Sequence, residues 1–151
     1  MKIVKPFFLA ANNNKAQNAI RLLQKKYDTY ELKNSNVIVV LGGDGSILSL
    51  INNKEYLKKK IYGMNRGTIG FLLNNFSEKN LLERIKSSIE FKLNPVSMQV
   101  TDIYNNKYKA LSLNEVSLLR QNRFAANVKV NVNKTVKINK LICDGILVST
   151  P

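Results

Sequence analysis

Histidine and tryptophan are absent from the 151 residues. Without histidine, no mechanism can use imidazole as acid, base or metal ligand. Cysteine occurs once, at Cys143. One thiol excludes an intrachain disulfide framework and fits a reducing compartment, the cytoplasm. No neighbour of Cys143 suggests activation, and a lone cysteine reads as a small buried hydrophobe. No apolar run approaches the roughly 18 residues needed to span a bilayer, so no membrane role is expected. The start, with Lys2 and Lys5 ahead of Pro6 to Ala11, is too short for the apolar segment of a signal peptide and reads as a first strand. No Gly-Lys-Ser/Thr phosphate loop and no complete Gly-x-Gly-x-x-Gly occurs, so the P-loop and dinucleotide-fingerprint readings lack support. Acidic residues are scarce, 10 against 24 basic ones, for a net charge of +14. A field of that sign favours anionic ligands. The basic residues are nevertheless mostly lysine and dispersed, whereas nucleic-acid readers cluster arginine with aromatics on one face. Lys58-Lys59-Lys60, the one tight run, falls at an expected helix end, where cations suit the dipole. A nucleic-acid partner is not expected.

What is present centres on Gly42-Gly43-Asp44-Gly45-Ser46. The preceding run, Val37 to Leu41, is apolar, β-branched and ended by glycine, which reads as a fully buried parallel strand. A helical pattern with Ile47, Leu48, Leu50 and Ile51 follows at once. Glycine permits a sharp turn and close approach of a ligand to the backbone. A helix start facing that turn suits a phosphate. Asp44 then sets a carboxylate where anions would otherwise sit. Either it has a task, such as holding a metal or receiving a hydroxyl hydrogen bond, or it caps the helix with Ser46 in the first turn. The residues alone leave both readings open.

In chain order, residues 1–11 predict strand one, and Ala16 to Tyr27 predict an amphipathic helix. A minor strand is expected around Tyr30 to Leu32, a helix from Ser46 to Lys59, and a strand over Ile61 to Met64. Loops at the carboxyl ends of parallel strands share one crevice, so Asn65-Arg66-Gly67 to Gly70-Phe71-Leu72 should lie beside the glycine turn. There Arg66 could clamp phosphate and Phe71 stack on a base, or Phe71 could be core and Arg66 solvated. Ser77 is expected to cap a helix reaching Ile89.

From Asn94-Pro95 onward the apolar period is two and no helix is expected. A hairpin is predicted at Asn105-Asn106 and another at Asn133-Lys134. Asn114-Glu115 falls inside an apolar strand, where a polar side chain needs a partner such as a ligand unless the site is a wet strand end or a bulge. Asp144-Gly145 is either a ligand-facing carboxylate or a simple turn. The fold class is α/β: an open parallel-sheet domain over residues 1–93, then an incomplete antiparallel β domain over 94–151.

Gly42-Gly43-Asp44-Gly45, Asn65-Arg66-Gly67 to Gly70-Phe71-Leu72, Asn114-Glu115, and Asp144-Gly145 to Ser149-Thr150-Pro151, taken together and in this order, resemble the NAD kinase family. The glycine turn alone is shared with phosphofructokinases and diacylglycerol-type lipid kinases. The resemblance implies a phosphotransferase that moves phosphate from ATP to the 2′-hydroxyl of the adenosine ribose of NAD, giving NADP, with a divalent metal, usually Mg²⁺. By the same resemblance Asp44 is the base or hydroxyl-orienting residue. Gly42 and Gly43 form the turn at the phosphates, and Gly45, Phe71, Asn114, Glu115 and Asp144 bind NAD, Asp144 at the nicotinamide half. Arg66 as a phosphate contact is an independent expectation, and no residue is assigned as a metal ligand. Homodimers or homotetramers are implied. Such kinases continue with a Thr-Gly-Ser-Thr-Ala-Tyr-like segment and more of the β domain, so the 151 residues alone are expected to be poorly active, with exposed strand edges. Phosphoryl transfer asks mainly for positioning, which favours an orienting role for Asp44 over proton abstraction. The rival readings are a sugar or lipid kinase with the same turn, and a non-enzymatic polyanion- or nucleotide-binding module.

Overall fold

The computed structural model describes residues 3–68 and 70–150. Met1 and Lys2 of the expected first strand, Ile69 of the loop after Met64, and Pro151 lie outside the described residues. The chain divides into two compact units, Met1–Lys92 and Leu93–Pro151.

In the first unit the parallel sheet has the order β1 (Pro6–Ala10), β2 (Val37–Gly42), β3 (Lys60–Asn65). Every residue of β2 is buried, as its unbroken apolar run demands of a central strand covered on both faces. Alternation sends Val37, Val39 and Leu41 to one face, where they meet Ala16, Ala19 and Leu23 of α1 (Asn14–Lys26) and Leu81 of α3 (Leu81–Ser87). Ile38 and Val40 go to the other face, against Ile47 of α2 (Asp44–Leu48) and Leu50. The expected helix over α1 forms, opened by Asn13, whose Oδ1 accepts the Ala16 N–H at 2.9 Å.

Three local expectations fail here for identifiable reasons. The helix expected from Ser46 to Lys59 is α2 followed by two 3-10 turns, Ser49–Asn52 and Tyr56–Lys58. Asn53 interrupts it by accepting the Glu55 N–H on its own side chain at 2.9 Å, a local alternative to the helical ladder. The strand expected at Tyr30 to Leu32 is a 3-10 turn, Leu32–Asn34, closed by Ser35, whose N–H and hydroxyl both donate to the Leu32 carbonyl. Ser77 does not cap a helix. Its Oγ accepts the Lys79 N–H, and α3 begins after Asn80, which is left-handed at φ 51°. The Tyr27 hydroxyl takes the capping role, accepting the Leu81 N–H at 3.1 Å while donating to the Glu78 carbonyl. The helix ends at Ser87, leaving Ile89 exposed.

The second unit is all antiparallel, as the period-two pattern predicts. β4 (Val96–Thr101) pairs with β5 (Lys107–Ser112), β6 (Glu115–Leu119) with β9 (Gly145–Ser149), and β7 (Ala126–Val132) with β8 (Thr135–Cys143). The turn at Asn133-Lys134 forms with both residues at positive φ, as a two-residue hairpin requires. The other hairpin loop is longer than the expected Asn105-Asn106 pair. It runs from Asp102 to Asn106, with the Asp102 carboxylate accepting the N–H groups of Tyr104 and Asn106 at 2.8 Å each. Among the described residues of this unit none is buried, and Leu118, Leu119, Ile142 and Leu147 are all exposed.

Candidate functional site

The glycine turn sits where a strand ends at the carboxyl edge of the parallel sheet. Gly42 is the last residue of β2, and Gly43, extended at φ −104°, is the N-cap of α2. Asp44 is therefore the first helical residue and not the cap. Among the described glycines none has positive φ, so Gly42 is needed for space and not for handedness. A Cβ on Gly42 would fall 2.1 Å from Ser46 Oγ and 3.2 Å from Ala11 Cβ, and one on Gly67 would fall 3.0 Å from Gly43 Cα. A Cβ on Gly45 would meet nothing within 4 Å.

The loop after β3 lies beside this turn, as parallel-sheet geometry predicts. The Gly42 carbonyl accepts from Arg66 N–H at 2.7 Å and from Gly67 N–H at 3.1 Å. The Asp44 carboxylate holds the far side of the loop: Oδ2 accepts the Phe71 N–H at 2.8 Å and Oδ1 the Leu72 N–H at 2.9 Å. A carboxylate offers about four acceptor positions, so roughly half of its capacity stays open. The base of the loop is pinned by Asn74, whose carbonyl accepts the Asn65 N–H and whose own N–H and side chain both donate to the Gly63 carbonyl. The sequence reading missed Asn74 because an Asn-Asn pair looks like ordinary loop composition.

Phe71 is 90% exposed, which overturns its reading as core. Arg66 is not simply solvated either. Its guanidinium stacks on the Phe76 ring, 4.3 Å from the centroid, beside the Lys15 carbonyl in the first turn of α1. The α-helical stretch behind the turn is only five residues long, so its dipole contributes less to anion binding than the long helix expected from sequence. No group of three or more potential metal-ligating side chains occurs among the described residues.

In the second unit Asn114 and Glu115 lie at the beginning of β6 and not within an apolar strand. Asn114 precedes the strand, and Glu115 opens it opposite Ser149. The Thr150 N–H donates to the Asn114 carbonyl at 3.1 Å, so the Asn114-Glu115 and Ser149-Thr150 motifs adjoin across the β6–β9 ladder. Asp144 stands just beyond the other end of that ladder, about 17 Å of strand away. Gly145 is required by close packing, since a Cβ there would lie 2.4 Å from the Leu118 carbonyl oxygen. Asp144 is paired with Arg120, whose Nε donates to Oδ1 at 2.5 Å and whose backbone N–H donates to the Asp144 carbonyl at 2.9 Å. Arg120 carried no sequence signal beyond being a cation at the end of an apolar strand.

No protein-family model matches the chain. It is 40% identical, over 144 residues and 95% of its length, to the NAD kinase of Hyphomonas neptunium, and equally so to that of Rhizobium meliloti. It is 38% identical over all 151 residues to the NAD kinase of Rickettsia rickettsii. The chain spans little more than half of these relatives, 56% of the first two and 59% of the third. The crystal structure of an NAD kinase from Archaeoglobus fulgidus in complex with ATP superposes with a TM-score of 0.60 over 97% of this chain and 60% of that one, at 21% identity. That likeness extends the agreement to the mixed α/β fold. Along nearly its whole length the chain is similar, at 38–40% identity, to these NAD kinases.

Proposed function

We propose that the chain takes part in transferring the terminal phosphoryl group of ATP to the 2′-hydroxyl of the adenosine ribose of NAD, giving NADP and ADP. The observation that carries this reading is the sustained identity to NAD kinases over 95% or more of the chain. The geometry at the glycine turn supports it. Asp44 is rigidly held through two backbone N–H groups and retains acceptor capacity for a hydroxyl. Its role is to orient the ribose hydroxyl for in-line attack, because a loose transition state rewards positioning more than a strong base. Gly42 and Gly43 let the backbone approach the phosphates, and the open space beside Gly45 suits the ligand. Phe71, with its exposed ring, flanks the adenosine, and Arg66, whose backbone N–H binds the Gly42 carbonyl, serves a phosphate. Asn114 and Glu115 bind the dinucleotide, and Asp144 reaches its nicotinamide half.

A divalent cation, Mg²⁺, fits this donor set only as a companion of ATP. Mg²⁺ commonly takes one or two carboxylates and fills its remaining positions with phosphates and water. Asp44 is the carboxylate at the turn, and the absence of a ligand cluster among the described residues argues against a protein-built cage. When bound, the ion neutralises charge on the phosphates.

The same reading carries two domains divided near residue 93, a cytoplasmic location and a homodimeric or homotetrameric assembly. No helix among the described residues is long and apolar enough to cross a membrane. The test is NADP formation with ATP and Mg²⁺ by residues 1–151, alone and joined to the carboxyl-terminal part of the Rhizobium meliloti relative. Weak turnover alone and strong turnover when joined are expected. A well-folded joined protein that makes no NADP would overturn the function, and full turnover by residues 1–151 would overturn the expected dependence on further chain.

A further inference from the structure

Arg120 is gripped on both sides. Its Nε and backbone N–H bind Asp144, and its Nη1 donates to the Asn122 carbonyl. The arginine side chain is 34% exposed and the aspartate side chain 81%. Ion pairs this open contribute little to folding, so stability does not account for the arrangement. Its effect is directional. With the guanidinium plane held at Asn122, one carboxylate oxygen of Asp144 is committed, and Oδ2 accepts from no donor among the described residues. Arginine suits this task because its rigid fork fixes the carboxylate in plane, which a lysine ammonium does only as a point charge.

The pairing commits one carboxylate oxygen and leaves the other able to accept a hydrogen bond.

We propose that Arg120 is a positioning residue for dinucleotide binding: it aims Asp144 Oδ2 at an N–H or O–H donor on the nicotinamide half of NAD. The inference rests on the reading of Asp144 as an NAD contact. The test measures NAD and ATP affinities by calorimetry for residues 1–151 joined to the carboxyl-terminal part of the Rhizobium meliloti relative, and for the same protein carrying Arg120→Ala, Arg120→Lys, Asp144→Asn or both Arg120→Ala and Asp144→Asn. Arg120→Ala should weaken NAD about tenfold and leave ATP within about twofold, with Arg120→Lys recovering part of the loss. In the Asp144→Asn background the same arginine removal should cost less than about twofold, because the carboxylate that the guanidinium orients is already gone. A purely structural arginine would weaken both nucleotides together, with no rescue by Asp144→Asn. Unchanged NAD affinity in Arg120→Ala, or equal losses in both backgrounds, would overturn the role of Arg120. If Asp144→Asn leaves NAD affinity untouched, the reading of Asp144 itself fails, and this inference with it.

Discussion

Asp44 and Phe71, 27 residues apart, are joined by a hydrogen bond of 2.8 Å from the Phe71 N–H to Asp44 Oδ2, and Oδ1 holds the next amide, that of Leu72, at 2.9 Å. The carboxylate proposed to orient the substrate hydroxyl thus also fixes the loop that presents the exposed ring of Phe71.

That double duty changes what Asp44→Asn should do. From the sequence alone, the substitution is expected to depress turnover with NAD affinity nearly intact, since the lost interaction acts in the transition state. In the structure an amide nitrogen in place of either oxygen would face a backbone N–H, donor against donor. Exchange of the Phe71 and Leu72 amides should accelerate about tenfold or more, the loss expected for one hydrogen bond to a charged group. Turnover should fall about a hundredfold, and NAD affinity should fall as well because the Phe71 loop is released. Hydrogen exchange on the nucleotide-free chain reads the first effect without depending on catalysis. Unchanged amide protection would mean that the loop holds itself.

Gly42 and Gly45 should separate folding from ligand access. A methyl group at position 42 would collide with Ser46 and Ala11, so Gly42→Ala should destabilise the first unit by about 1–3 kcal/mol. At position 45 the methyl group enters open space on a helix, where alanine is favoured over glycine by about 0.8–1.0 kcal/mol. Gly45→Ala should therefore leave stability equal or higher while weakening nucleotide binding. Thermal unfolding paired with nucleotide titration checks both, and a Gly45→Ala protein that binds NAD and ATP normally would show that the open space is not a ligand's.

The sequence made β2 and the glycine turn readable because both follow from local rules: an unbroken apolar run for a doubly covered strand, and glycine where a strand meets a helix. The approach of Phe71 to Asp44 was also readable, through the topological rule that loops after parallel strands converge. What escaped was set by side chains acting over distance or against the local pattern. Tyr27 caps a helix 54 residues away, so Ser77 looked like the cap only because Tyr27 was invisible. Asn53 stops a helix that apolar spacing alone would continue. The Arg120–Asp144 pair depends on β6–β9 pairing, which brings together residues 24 positions apart.

The loop from Asp102 to Asn106 should respond to acid. Hydrogen bonds from the Asn106 side chain first, then from the Asn106 and Tyr104 backbone and the Tyr108 hydroxyl, hold the Asp102 carboxyl below its ordinary value of 3.8, against a smaller opposing effect of desolvation. A carboxyl whose folded value is depressed stabilises the folded loop fully above its unfolded value. That contribution is lost as pH falls from about 3.8 through the lowered folded value. Tyr104 and Asn106 amide shifts should therefore stay constant above that window and move together through it. Asp102→Asn should remove the transition, and its persistence in that variant would assign the acid response to another group.

The turn joining β7 to β8 carries strain that one substitution should relieve. Asn133 at φ 49° and Lys134 at φ 65° both occupy the left-handed region. Asparagine tolerates it, whereas the lysine Cβ crowds its own backbone at a cost of about 1 kcal/mol. Asn-Gly is the pair that two-residue hairpins of this hand favour. Lys134→Gly should thus stabilise the hairpin by about 0.5–1 kcal/mol despite the added freedom of the unfolded chain, with slower exchange of the Val132 and Thr135 amides. Lys134→Ala, which keeps the Cβ and removes only the charge, should leave the hairpin unchanged. If the two variants behaved alike, the charge of Lys134 and not its backbone conformation would be what limits the turn.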